Sequence, residues 1–255
     1  MRPVLAISRR ELESFFATPV GWLCLTGFSI IAGFFFAMMA TEFSVQATQA
    51  AYNPYVAEQI NLNDWLIQPF FANTAVILLL LSPALSMRLF AEDRKQRSLE
   101  LLLSSPISSF QIVLGKFLGV MGFVTVMLAT TLPLTAMLYW LGSPDNGTLL
   151  SCYLSTFFLA ASFLSVGMLT SAMTENQIVA LVTGFGVLLI LWVLSWANTI
   201  AGPGLGDVLS GLSMLSHIDQ LMKGLLHLND AVYFLTFVGF FLFATTQRVE
   251  AYRWR

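Results

Sequence analysis

Six stretches of this chain run without Asp, Glu, Lys or Arg for long enough to cross a bilayer, and this spacing of charge constrains the fold more than any motif. They lie between Glu13 and Glu42, Asp64 and Arg88, Lys116 and Asp145, Asp145 and Glu175, Glu175 and Asp207, and Asp230 and Arg248. A membrane helix needs about 20 apolar residues, so the first five are ample and the last suffices with little tilt. Strands fit poorly, since barrel strands are about 10 residues long and alternate apolar with polar. Only 10% of the 255 residues are charged and 57% are hydrophobic, against roughly a quarter charged in soluble domains. The chain therefore reads as an all-α integral membrane protein, one domain over residues 1–255. Its spans are expected at 19–41, 65–89, 111–141, 149–173, 178–200 and 231–247.

Six crossings put both termini on one side, and the basic residues say which, because Lys and Arg are retained in the cytoplasm. With the termini inside, Arg2, Arg9, Arg10, Arg88, Arg94, Lys95, Arg97, Lys116, Arg248, Arg253 and Arg255 are inner. Lys223 alone is outer. Glu42, Glu58, Asp64, Asp145, Asp207, Asp219 and Asp230 also fall outside. Trp65, Tyr139, Trp140, Trp192 and Trp196 mark the outer interface, with Trp22 and Trp254 at the inner one.

Between the spans, residues 3–18 place Val4, Leu5, Leu12, Phe15 and Phe16 at helical spacing, which predicts a helix lying in the inner interface before Pro19 turns the chain into the membrane. Acids interrupt this stretch and no small-residue cleavage site follows, so it is not a secretory signal. An outer loop is expected over 43–63, and an apolar helical stripe of Leu212, Leu215, Ile218, Leu221, Met222 and Leu225 predicts an outer helical segment over 207–229. Pro69 and Pro83 fall inside the second span, where membrane helices tolerate them. Gly115, Gly119 and Gly122 form a small-residue face that serves either packing within the chain or a dimer seam. Ser155, Thr156, Ser162, Ser165 and Thr170 read as packing or as a polar pathway.

Charge is dense in one place, Phe90 to Pro106 (FAEDRKQRSLELLLSSP). With Arg88 it reads as a short helix in which Arg88 pairs with Glu92 and Asp93 with Arg97. This is what a membrane protein needs where a soluble partner grips it. Other chemistry is thin. No span carries a charge near its centre, which disfavours ion-driven transport. Gly115-Lys116 is followed by Phe117 where a phosphate-binding loop needs Ser or Thr, so any ATP is bound by another chain. His217 with Asp219, or His227 with Asp230, makes neither a metal box nor a hydrolytic site, and Cys24 and Cys152 sit in apolar runs.

The sequence Glu92-Asp93-Arg94-Lys95-Gln96-Arg97-Ser98-Leu99-Glu100-Leu101-Leu102-Leu103-Ser104-Ser105-Pro106, followed by Gly115-Lys116-Phe117, resembles the cytoplasmic loop of type-2 ABC-transporter permeases. The gliding-motility-type permeases are similar also in Arg10-Glu11-Leu12 with Pro19, in Asn61-Leu62-Asn63-Asp64-Trp65, and in His217-Ile218-Asp219, Lys223-Gly224 and Asp230-Ala231-Val232-Tyr233-Phe234. The resemblance covers essentially the whole chain. It departs at Arg97-Ser98, where the family usually has Gly-Thr.

The resemblance implies a type-2 ABC exporter fold: six transmembrane helices, an N-terminal elbow helix over 3–18 and a cytoplasmic coupling helix in 90–106. It implies a permease subunit in the bacterial plasma membrane, not itself an enzyme, acting as a dimer with a second permease copy or homologue. A separate ABC ATPase subunit binds the ATP and Mg, so this chain carries no cofactor. Glu92, Arg94, Lys95, Arg97 and Glu100 are expected to form or brace the ATPase contact, with Glu175 in the second inner loop. The family's pathway runs along spans one, two and five, where this chain offers Phe35, Met39, Asn73, Thr74, Phe185 and Trp192; the alternative is that these side chains face lipid. Export of an apolar cargo is one reading, and mechanical work on an extracytoplasmic accessory protein is the other. Membrane lipid is a partner and nucleic acid is not.

Overall fold

The computed structural model describes residues 2–52, 61–99, 102, 106–194, 211, 213–224 and 228–253. Among these, all regular structure is helical. Helix α1 (Arg2–Ala17) leads into α2 (Pro19–Tyr52) through a turn tight enough that a Cβ on Gly21 would stand 1.9 Å from the Phe15 carbonyl oxygen. Only glycine passes there. Helix α2 is longer than the expected span and takes in the start of the expected outer loop. Hydroxyls of Thr41 and Thr48 donate to Ala37 and Ser44 carbonyls of the same helix, at 2.8 Å each, so polar residues continue it. Residues 53–60 of that expected loop lie outside the described residues.

A π-helical turn, Asn63–Ile67, opens α3 (Gln68–Ser86), and α4 (Arg88–Lys95) follows almost without a break. Pro69 sits in the first turn of α3, where its missing N–H costs nothing, and Pro83 lies inside the helix. Helix α5 (Ser109–Ala129) starts at a capping box made by Ser108 and Gln111. The expected span 111–141 is not one helix. Thr130 and Thr131 turn their hydroxyls back to Met127 and Leu128 carbonyls, and Pro133 starts a new short helix, α6 (Leu132–Ala136), before α7 (Leu138–Leu141). Asp145 caps α8 (Asn146–Met173), accepting from Gly147 and Thr148 N–H groups, and Asn176 caps α9 (Gln177–Val193) through Ile178 N–H. Helices α10 (Met214–Met222) and α11 (Leu228–Arg253) complete the described chain.

Among the described residues, five stretches are long and apolar enough to cross a membrane: Pro19–Ala50, Asn63–Lys95, Ser109–Leu141, Asn146–Met173 and Leu228–Arg253. Helix α9 is apolar but has 17 residues, and 195–200 of the expected fifth span lie outside the described chain. Helix α8 is the axis of the bundle, packing against α3, α4, α5, α9, α10 and α11. Its hydroxyls answer the choice between packing and polar pathway: Ser155 and Thr156 both donate to the Cys152 carbonyl, and Ser165 to that of Ser162, all fully buried. They serve packing.

The small-residue face of α5 is likewise filled from within the chain. A Cβ on Gly115 would meet Ile7 at 2.8 Å, and one on Gly119 would meet Glu11 at 2.6 Å and the Ser8 carbonyl oxygen at 2.9 Å, so α1 lies in contact with this face. Phe15 stacks on Phe123 at 4.7 Å between ring centroids and fastens the other end of α1. Large apolar side chains point outward instead, among them Leu23, Ile30 and Phe34 of α2, Ile178, Val182 and Ile190 of α9, and Leu235, Phe240 and Phe243 of α11. Cys24 and Cys152 are both free and buried.

Candidate functional site

Helix α4 is eight residues long and cannot stand alone in water, so its neighbours must hold it. Met87 at its N-cap offers no side-chain oxygen. Ser171 of α8 takes that place, its hydroxyl accepting from the N–H groups of Phe90 and Ala91 at 3.1 Å each while donating to the Met87 carbonyl at 2.7 Å. Leu89, Phe90 and Ala91 are buried beneath.

Charge fixes the rest of its circumference. Lys116 of α5 is buried, its side chain 2% exposed, with Nζ 2.5 Å from Glu11 Oε1 of α1 and 2.8 Å from Asp93 Oδ2 of α4. The same ammonium stands 5.5 Å from the Phe90 ring. One cation thereby ties three helices together. On the adjacent side, Arg88 donates to the hydroxyls of Thr18 and Ser14 at 3.2 and 3.1 Å, faces Glu92 at 3.8 Å, and lies over the Phe15 ring. Arg94 turns toward α8 and α9, donating to the Ala172 carbonyl at 3.2 Å and to Glu175 at 2.8 Å. Its guanidinium stacks 4.1 Å from the ring of Tyr252, which also carries Arg248 at 5.7 Å, so α11 joins the network. Ser109 and Glu250 add a direct hydrogen bond between α5 and α11.

Among the coupling residues expected from sequence, the structure separates base from tip. Arg94 and Glu175 are joined to each other, bringing the two inner loops together, and Glu92 is held by Arg88 and by Gln96 at 3.2 Å. Lys95, Gln96 and Arg97 are exposed. The expected Asp93–Arg97 pair is replaced. Asp93 is taken by Lys116 and by the Ser98 hydroxyl at 2.9 Å, while Arg97 has a φ of 58° and carries the chain through a left-handed turn. That is the conformation a glycine adopts most readily after a helix, and here an arginine adopts it. Glu100 lies outside the described residues.

The expected pathway residues do not form one lining. Phe35 and Met39 pack against the core while Phe34 and Met38 face outward. Thr74 is buried with its hydroxyl on the Phe70 carbonyl, and Phe185 is half-buried. Asn73 and Trp192 are brought to one pocket at the far end of the bundle from α4. Sequence reasoning missed Glu11, Ser14, Thr18, Ser171 and Tyr252 as parts of the network. The signal available was Lys116 itself, a cation at the edge of an apolar run with small residues on either side of it, Gly115 and Gly119.

Comparison with known proteins adds one finding: residues 5–247 match the family model described as ABC-2 family transporter protein. A search of curated proteins finds no match.

Proposed function

Because the chain belongs to the ABC-2 family of transporter proteins and is its multi-pass membrane subunit, we propose that it couples ATP hydrolysis in a separate ATPase subunit to movement of the membrane bundle, through the exposed tip of α4. The observation that carries this reading is the contrast within α4: a base sealed by Lys116, Ser171 and Arg94, and a tip where Lys95, Gln96 and Arg97 are exposed. A contact that transmits force needs a stiff root as well as an open end. In this reading α1 is the elbow helix, α9 belongs to a sixth span, and both termini lie in the cytoplasm of a bacterium. The subunit works as a dimer, closest in type to the gliding-motility permeases, without enzymatic activity of its own. ATP and Mg belong to the partner.

Between export and mechanical work on an extracytoplasmic protein, one observation favours the second. Two polar groups expected on a pathway donate inside their own helix: the Asn73 amide nitrogen to the Pro69 carbonyl at 2.8 Å and the Thr74 hydroxyl to the Phe70 carbonyl at 2.9 Å.

The test is co-purification with an ABC ATPase subunit from the same cell, comparing wild type with Lys95→Glu plus Arg97→Glu. Loss of the ATPase from a variant that still melts like wild type is the expected result. Full retention moves the contact off α4 and sinks the proposal; a wild-type chain that binds no ATPase removes its premise.

A further inference from the structure

Helix α10 is built as a wall. Met214, Ile218, Leu221 and Met222 are buried, and α8 holds its last turn through Ser151, which donates to the Leu221 carbonyl at 2.7 Å, and Cys152, whose thiol donates to the Met222 carbonyl at 3.3 Å. On the α11 side, His217 Nδ1 meets the buried Asp230 Oδ1 at 2.6 Å and the imidazole stacks on Tyr233 at 4.1 Å. Between this wall, α3 and α9 lies a pocket of about 190 Å³.

Its lining is apolar except at two points. Ala72, Ala75, Val76, Leu215, Ile218 and Met222 form the sides, Trp192 adds an aromatic face, and Asn73 and Asp219 supply polarity. Each of the two offers an acceptor, and the Asn73 amide keeps a second N–H as well. The Asn73 amide nitrogen is committed to the Pro69 carbonyl, which leaves Oδ1 available, and among the described residues Asp219 makes no hydrogen bond or ion pair. The apolar surroundings push the Asp219 carboxyl above its ordinary range, with attraction to Lys223, four residues on, pulling it back. Among the described residues, no basic side chain lines the pocket. A pocket with an aromatic wall and an exposed carboxylate at its edge attracts a cation, whereas an anion is repelled and a neutral ligand gains no charge pairing.

We propose that this pocket binds a primary ammonium group carried on a short apolar body, with Asp219 as counter-ion, Asn73 Oδ1 as second acceptor and Trp192 as the aromatic face. The inference is independent of the ATPase contact, which lies at the other end of the bundle. The ammonium has two possible sources, a free alkylamine or the headgroup of phosphatidylethanolamine, and the chemistry of recognition is shared.

The test is calorimetric titration of the detergent-solubilised, full-length chain with butylammonium, with 1-butanol as the uncharged comparison. Saturable binding is expected, weakened about tenfold or more in Asp219→Asn and with 1-butanol in place of the amine. Asp219→Glu should recover part of it. Affinity should fall on acidification as Asp219 takes up a proton, beginning above the ordinary carboxylate range. Equal binding by Asp219→Asn or by butanol, or no binding to a wild-type chain with an unaltered melt, overturns the assignment. In nanodiscs, competition by phosphatidylethanolamine but not phosphatidylglycerol assigns the site to the headgroup, and butylammonium binding undiminished in both assigns it to a free amine; loss of binding in phosphatidylglycerol alone contradicts it.

Discussion

At Lys116 the inner network depends on a single proton-bearing nitrogen, because Glu11 and Asp93, their side chains 16% and 14% exposed, have little water to replace it. Removing one member of a buried ion cluster costs more than removing all of it, since the survivors are left charged and unpaired. Lys116→Met should therefore destabilise the folded chain by about 3–5 kcal/mol, and adding Glu11→Gln with Asp93→Asn should restore most of that. Thermal unfolding in detergent reads both, and a triple variant no more stable than the single one would refute the cluster's role. Arg97 presents the opposite case, a residue that costs stability where it stands. A side chain in the left-handed region loses about 1 kcal/mol relative to glycine, so Arg97→Gly should raise the melting point while weakening capture of the ATPase. A gain in both would mean that Arg97 is an accident of sequence; strain kept at a binding tip is how function commonly shows itself in a backbone.

Helix α1 illustrates how far elements were legible. Its amphipathic spacing predicts the helix, and the glycines of α5 predict a close approach, yet nothing in the spacing says that each is the other's partner. Two faces that match locally are joined only by a chain reversal at Pro19 and Gly21, which is a tertiary event. The same limit explains α4: its helical character and charge were readable, while the Asp93–Arg97 pair expected from four-residue spacing lost to Lys116, a partner distant in sequence and deeper in the fold. Gly119→Leu tests the α1–α5 seam, because its Cβ would press on the Ser8 carbonyl oxygen, which cannot rotate away. Overpacking of this kind costs about 1–3 kcal/mol, and proteolysis within 2–17 should accelerate as α1 detaches. At the opposite end, the cap of α8 is sensitive to acid. Hydrogen bonds from the Thr148 hydroxyl and from the Thr148 and Gly147 amides hold the Asp145 carboxyl below its ordinary value. A group depressed by folding stabilises above its unfolded pKa and stops doing so as pH falls through the folded one. Wild type should thus melt above Asp145→Asn near neutrality, with the gap closing at acid pH.

For the molecule as a whole, the helical class and five of the six expected spans were legible in the pattern of charge, because a bilayer leaves few alternatives to helix. What that pattern does not contain is the division of labour inside one charged segment. Lys95 and Arg94 are adjacent in sequence and similar in chemistry, but one points to water and the other is bolted to Glu175, the Ala172 carbonyl and Tyr252. A rigid root matters only if the helix must push. Force arriving at the tip of α4 passes through Ser171 and Arg94 into α8, and α8 touches most of the bundle. Substituting root and tip should then break different steps. Lys95→Glu is expected to weaken ATPase binding, more so at low salt, since exposed charges are screened within about 10 Å at 0.1 M ionic strength. Arg94→Ala is expected to leave that affinity within about threefold, because the side chain is not at the contact. It should instead uncouple the complex, so that ATP is hydrolysed without the ATP-dependent change in distance between spin labels on α3 and α9. If Arg94→Ala weakens binding as much as Lys95→Glu while the labels still move in the complexes that form, the root and tip are one docking surface and the lever reading of α4 is wrong.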